Sequence, residues 1–96
     1  MKFERVMEVF AEYLREDEDV TVIQTKQGYS VLVWDESMRN WSRAEFCETP
    51  EILCQLLCAV YSDYLELGIT DGGRDLTREE QDGIDAKCRE MEERCK

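Results

Sequence analysis

The sequence contains no histidine and only one proline among its 96 residues. Histidine is the most versatile general acid–base group near neutral pH and a frequent metal ligand, so its absence removes the commonest basis for catalysis. A nucleophilic cysteine would also lack its usual histidine partner. No phosphate-binding glycine loop is present, and segment 71–75 does not match an EF-hand calcium loop. We therefore expect a protein that is not an enzyme and needs no cofactor.

Basic residues are also scarce. Twelve Lys and Arg face 23 Asp and Glu, which gives a formal net charge of −11. Affinity for nucleic acid comes chiefly from basic side chains that neutralise phosphates, so direct nucleic-acid binding is disfavoured. The negative electrostatic field of such a protein attracts basic protein surfaces instead. The charge imbalance therefore points to a partner rather than to a reaction.

Long apolar runs are missing as well. No uninterrupted run approaches the roughly 18 apolar residues that suggest a membrane span. The N-terminal segment 1–5 also lacks the apolar region of a secretory signal. These absences predict a protein that does not bind membranes and that is located in the cytoplasm.

Five cysteines are present, an odd number without an obvious paired framework. Cys54 and Cys58 fall on one face of a predicted helix, and Cys47 precedes that helix. Three thiolates could hold a zinc ion, but closely spaced cysteine pairs are absent and no histidine can complete the set. Buried cysteines behave as small hydrophobes, and a reducing cytosol keeps thiols free. Core packing is therefore favoured over a metal or redox site, and no metal site is predicted.

The first half of the chain predicts one helix followed by strands. Apolar residues recur at helical spacing from Phe3 to Leu14, and a Glu-Asp-Glu-Asp run at 16–19 ends that helix. Residues 20–25 and 29–34 are β-branched and apolar, and the Gly-containing segment between them predicts a hairpin. Residues 41–47 form a possible third strand. Because side chains alternate along a strand, we expect one face of this strand to carry Trp41, Arg43, Glu45 and Cys47.

The second half predicts two helices. Thr49 and Pro50 form a helix start, and Gly68 is well placed to end that strongly apolar helix. Thr77 and Glu80 match a capping box at the start of a last helix, which runs to about residue 94. The chain is thus a single α+β domain, residues 1–96. It has a small three-stranded antiparallel sheet with flanking helices, in the order α-β-β-β-α-α.

Two acidic clusters fall near the predicted turns and are candidates for partner binding. Their members are Asp35, Glu36, Asp71, Asp75, Glu79, Glu80 and Asp82. Carboxylates on rigid elements can occupy Arg and Lys side chains that normally hold phosphates, which would make the protein a nucleic-acid mimic. The simpler alternative is that these charges serve solubility. Near the last helix N-terminus, the acids also complement the helix dipole.

In its acidic character, its short length and its element order, the chain resembles the small anti-CRISPR proteins of phages and mobile elements. It is similar in layout to an acidic class that inhibits type II CRISPR effector nucleases. Members of that class place carboxylates in the groove that reads the target's short flanking motif. The resemblance implies an inhibitor in the bacterial host cytosol. It also implies that this inhibitor uses acids after the second strand and between the last two helices.

A different function class is a non-enzymatic structural or regulatory module that self-associates. The last helix carries only a thin apolar stripe, formed by Ile84, Cys88, Met91 and Cys95. Spacings of four, three and four residues place these side chains on one face. Such a stripe could form a seam between two copies of the chain, and the simpler alternative is packing within the domain.

Overall fold

The computed structural model describes all 96 residues. In chain order its elements are α1 (Phe3–Glu16), β1 (Val20–Thr25), β2 (Gly28–Asp35), β3 (Asn40–Cys47), α2 (Pro50–Thr70) and α3 (Arg78–Cys95). The three strands form one antiparallel sheet in the order β1-β2-β3. The predicted α+β class and the order α-β-β-β-α-α are therefore confirmed.

α1 packs through one apolar face, because its buried residues recur at helical spacing. Those residues are Val6, Val9, Phe10 and Tyr13. The N–H of Asp17 donates to the Tyr13 carbonyl at 3.0 Å and closes the last turn. The Tyr13 hydroxyl donates in return to the Asp17 carboxylate at 2.7 Å. Burial, and then this bond, raise the pKa of Tyr13. The acidic connection after α1 is thus tied to the helix.

The helices cover one face of the sheet and leave the other open. The covered face carries the sheet's share of the core, namely Val20, Tyr29, Val31 and Cys47. On the open face, Ile23 and Phe46 keep 43% and 50% of their surface exposed. At the first position of β2, Gly28 has a φ of 151°, and a Cβ there would lie 2.9 Å from the Cys47 carbonyl oxygen. Only glycine therefore fits at this position.

A β-bulge in β3 changes which residues share a face. Arg43 pairs with Val33 of β2, and Trp41 pairs with the next residue, Trp34. Ser42 therefore has no partner residue in β2. One extra residue moves the alternation of side chains by one position. The prediction that Trp41 lies on the same face as Cys47 is therefore wrong. Trp41 instead packs edge-on against its partner Trp34, with ring centroids 5.0 Å apart.

α2 begins as predicted and supplies much of the core. The Thr49 hydroxyl accepts from the Ile52 N–H at 3.2 Å, and Pro50 occupies the first turn. By length and mean hydropathy α2 would also pass for a membrane span, although Glu51, Asp63 and Glu66 interrupt its apolar residues. Here α2 packs against α1, α3 and two strands of the sheet.

α2 ends later than predicted. Gly68 lies inside the helix, which continues to Thr70. Asp71 then adopts a left-handed conformation with φ 53, and its N–H donates to the Leu67 carbonyl at 2.8 Å. Helices commonly stop where a residue takes this conformation. The prediction that Gly68 terminates α2 is therefore wrong, because Asp71 does so.

α3 begins with the predicted capping box. The Thr77 hydroxyl accepts from the Glu80 N–H at 3.2 Å, and the Glu80 carboxylate accepts from the Thr77 N–H at 2.9 Å. These two bonds satisfy N–H groups that have no partner within the helix. The helix then runs along α2 and contacts α1. The capping box therefore fixes where α3 leaves the preceding loop.

The thin stripe of α3 faces the domain itself. Ile84 and Cys95 are buried, and Cys88 and Met91 are partly buried. The Cys88 thiol lies 3.7 Å from the carbonyl oxygen of Cys58 on α2. The stripe is thus covered by the chain's own helices. Packing within the domain therefore accounts for the stripe without a second copy of the chain.

Candidate protein-binding surface

Three acidic connections of the chain meet at one end of the molecule. β1 begins where β2 ends, and the Trp34 N–H donates to the Asp19 carbonyl at 2.7 Å. The β2–β3 turn therefore adjoins the α1–β1 connection. The C-terminal half of α2 lines a groove with that connection, so the α2–α3 loop lies at the same end. We call this region the acidic end and define it by Glu16, Asp17, Glu18, Asp19, Asp35, Glu36, Asp63, Asp71, Asp75, Glu79, Glu80 and Asp82.

The predicted residues Asp35 and Glu36 lie at the β2–β3 turn, where they hold the turn together. Asp35 accepts from the hydroxyl and the N–H of Ser37 at 2.6 and 3.0 Å. The hydroxyl bond is the main cause that lowers the pKa of Asp35. Glu36 accepts from the indole N–H of Trp34 at 2.7 Å and from Arg39 at 3.0 Å. Both carboxylates therefore already have partners within the chain.

The predicted residue Glu80 is also a structural residue. Its two carboxylate oxygens each accept from the Arg74 guanidinium at 2.8 Å, in addition to the Thr77 N–H. The Arg74 bonds are the main cause that lowers the pKa of Glu80 to about 2. A lysine at position 80 would therefore break the capping box and repel Arg74. Glu80 is unsuitable for a charge-reversal test of binding.

The other predicted residues keep their carboxylates free. Asp71, Asp75, Glu79 and Asp82 are exposed, and their side chains form no hydrogen bond or ion pair within the chain. They flank the end of α2 and the first turns of α3. The structure thus separates the predicted acids into those that build turns and those that are available to a partner.

A groove beside these residues was not predicted as a site. It has a volume of about 460 Å³ and lies between the α1–β1 connection, the sheet and α2. Its acidic lining is Glu16, Asp17, Glu18, Asp19 and Asp63, and Val20, Val33, Val60 and Leu67 are apolar residues in the same lining. No basic residue lines it. The Glu-Asp-Glu-Asp run at 16–19 is the sequence signal for this groove, but by itself that run predicts only the end of a helix.

A second cleft lies on the other side of Leu67. It has a volume of about 630 Å³ between the end of α2 and the start of α3, and Asp71 and Glu80 line it. Leu67 lines both cavities and is 59% exposed. The carboxylates of the acidic end thus surround an exposed apolar residue. Mixed surfaces of this kind are typical of protein-binding sites, in which an apolar centre has a polar rim.

Two helix-interior glycines line the α2–α3 cleft. Each of Gly68 and Gly83 costs up to about 1 kcal/mol of helix stability relative to alanine. Neither has a positive φ, and a Cβ built on either would meet no atom within 4 Å. The fold of the domain therefore does not require glycine at these two positions.

The cysteines show no arrangement for chemistry. All five are free thiols, and no group of three or more Cys, Asp or Glu side chains could hold a metal ion. Burial raises the pKa of Cys47, of Cys58 and of Cys88. It also raises the pKa of Cys95 to about 12, and the neighbouring Cys54 thiol adds to the shift. Thiols in this state are poor nucleophiles and poor metal ligands.

In comparisons with known proteins, no family model, no curated protein and no solved structure matches the chain significantly.

Proposed function

We propose that this protein is a non-enzymatic inhibitor that binds a basic nucleic-acid-binding protein through its acidic end. It acts as a nucleic-acid mimic: its carboxylates occupy the Arg and Lys side chains that would otherwise hold phosphates. The protein binds no nucleic acid itself. The partner class that the resemblance implies is a type II CRISPR effector nuclease in a bacterial cytosol.

One observation carries this proposal. Carboxylates from two connections and from all three helices converge at one end without partners in the chain, namely Glu16, Glu18, Asp19, Asp63, Asp71, Asp75, Glu79 and Asp82. Of the bases at the same end, Arg39 and Arg74 are paired with Glu36 and Glu80, and Arg78 has no ion pair and is far outnumbered by the free carboxylates. The negative charge is therefore concentrated where it is not neutralised internally.

The rigidity of the acidic end supports binding that is specific as well as attractive. The turn at Asp35 and the capping box at Glu80 are fixed by short hydrogen bonds, so little order has to be gained on binding. Arginine–carboxylate bonds are charge-assisted and often bidentate, which favours a partner rich in arginine. Leu67 adds apolar contact at the centre. A purely solubilising surface would need none of these features.

The proposal is tested by competition for a purified type II effector nuclease loaded with guide RNA. A nucleic-acid mimic must exclude a DNA duplex that carries the flanking motif, and it must block cleavage. Its affinity should fall with added salt, since charges at the rim of an interface are screened beyond about 10 Å at 0.1 M. Equal binding to the free and the DNA-loaded effector would show that the acidic end is not a mimic.

Two charge-matched variants locate the surface. The acidic-end variant is Asp63→Lys with Asp82→Lys, and the control variant is Glu48→Lys with Glu92→Lys. All four residues are exposed and unpaired. Glu48 follows β3 and Glu92 lies near the end of α3, so both are remote from the acidic end. The proposal requires the first variant to lose inhibition and the second to retain it. If the effector binds neither variant nor the unmodified protein, a CRISPR effector is the wrong partner.

A further inference from the structure

We propose that the cleft between α2 and α3 receives an amphipathic basic helix of the partner protein. This inference rests on the proposed function in one respect only, that the partner is basic. The site is the space lined by Gly68 and Gly83 together with Leu67, Ile69 and Ile84. The partner's helix would lie in the groove that the antiparallel pair α2 and α3 leaves open, a common mode of peptide recognition.

The two glycines are the first reason. They lie on different helices, yet both line the same cleft, and each leaves empty space where a side chain would project. No turn, positive φ or internal contact explains either of them. Glycine is used where another backbone must approach closely. The pair therefore indicates that a backbone outside this domain packs against α2 and α3.

The apolar lining is the second reason. Ile84 is buried at the floor, whereas Leu67 and Ile69 remain 59% and 40% exposed at the rim. Neighbouring exposed apolar side chains on a small acidic protein mark an interaction site. A helix that inserts one apolar face between α2 and α3 would cover all three side chains. The volume of the cleft, about 630 Å³, suits several apolar side chains rather than one.

Charge decides between the possible occupants. Glu80 in the lining is already paired with Arg74, so the free carboxylates are Asp71 in the lining and Asp75, Glu79 and Asp82 in the adjoining loop and first turns of α3. They outnumber the two unpaired bases, Lys87 in the lining and Arg78 at the start of α3. A helix with basic flanks matches this rim. A second copy of the chain does not, because each copy carries a net charge of −11. The polar face of the incoming helix is therefore basic.

The test uses three peptides of about 18 residues that are patterned on helix-in-groove ligands. The first is a Leu/Lys amphipathic helix, the second has the same composition in scrambled order, and the third replaces Lys by Glu. Each is titrated into the full-length, ¹⁵N-labelled protein. The amphipathic basic peptide should shift the backbone N–H signals of Gly68 and Gly83 and saturate. It should bind at least about tenfold more tightly than the scrambled peptide. Equal binding of these two peptides, or an absence of shifts at both glycines, overturns the inference.

Variants on α3 provide the second arm. Gly83→Leu adds a good helix former that fills the cleft, and Ala86→Leu adds the same side chain at an exposed position that does not line it. Gly83→Leu should raise Tm by about 4 °C or more and weaken peptide binding at least about tenfold. Ala86→Leu should leave binding unchanged. Unchanged binding by a folded Gly83→Leu overturns the inference. If effector binding by the acidic end still holds in that case, the proposed function stands without the cleft.

Discussion

The last turn of α3 makes a quantitative prediction about thiol chemistry. Cys95 has no exposed surface even though it is the penultimate residue of the chain. The Arg5 Nε donates to the Arg94 carbonyl at 2.8 Å and holds this turn against α1. Burial raises the pKa of the Cys95 thiol from 9.0 to about 12. The reactive thiolate should therefore be rare in the folded protein.

The size of the effect follows from these two pKa values. At about pH 8, a thiol with the ordinary value is about one-tenth thiolate, whereas a thiol with a pKa near 12 is thiolate in about one molecule in ten thousand. In the closed state, alkylation of Cys95 by iodoacetamide should thus be up to about a thousandfold slower than in urea, and any opening of the last turn raises the observed rate towards the rate in urea. Peptide mass spectrometry after timed quenching measures the rate for each cysteine separately.

The control variants test the cause. Arg5→Ala removes the bond to the Arg94 carbonyl and should speed the alkylation of Cys95, because a buried thiol reacts mainly when its segment opens. Arg15→Ala, on the same helix but without such a bond, should change nothing. A folded rate for Cys95 within about tenfold of the rate in urea would refute the docked position of the last turn.

The remaining predictions concern α3. Thr77→Ala should lower the free energy of unfolding by about 1 kcal/mol in urea titrations, because it removes one half of the capping box. Glu80 has its pKa lowered from 4.5 to about 2 in the folded protein, so its stabilising effect is present above the ordinary value and lost as the pH falls towards 2. The unmodified protein should thus lose more stability over that range than Glu80→Gln, as followed by circular dichroism, and equal losses would contradict the ion pair. Gly83→Ala should raise Tm by about 4–8 °C, and an unchanged or lower Tm would show that the glycine is needed within the domain.

The helix starts could be predicted because their causes are local. Thr49 and Pro50, and then Thr77 and Glu80, are a few residues apart, and each pair fixes its own turn whatever lies elsewhere. The end of α2 depended on conformation instead. Gly68 has the right residue type, but Asp71 takes the left-handed conformation three residues later. A helix thus ends where the backbone turns, and residue type alone does not determine that position.

The faces of β3 and the composition of the acidic end could not be predicted in the same way. The position of Trp41 depends on a bulge, and a bulge depends on how two strands pair. The sequence pointed to Asp35 and Glu80, but it did not reveal that their carboxylates are already bonded within the chain. Nor did it reveal that Asp63 faces the connection after α1. Those facts arise only when distant segments are brought together.

The central claim is that the acidic end is the surface that a basic partner binds. The most direct measurement compares the affinity of a guide-loaded type II effector nuclease for the two charge-matched variants. Asp63→Lys with Asp82→Lys should bind at least about tenfold more weakly than Glu48→Lys with Glu92→Lys, because only the first pair places like charges against the partner's basic side chains. Equal affinities of the two folded variants would contradict the claim, since net charge alone would then account for the binding.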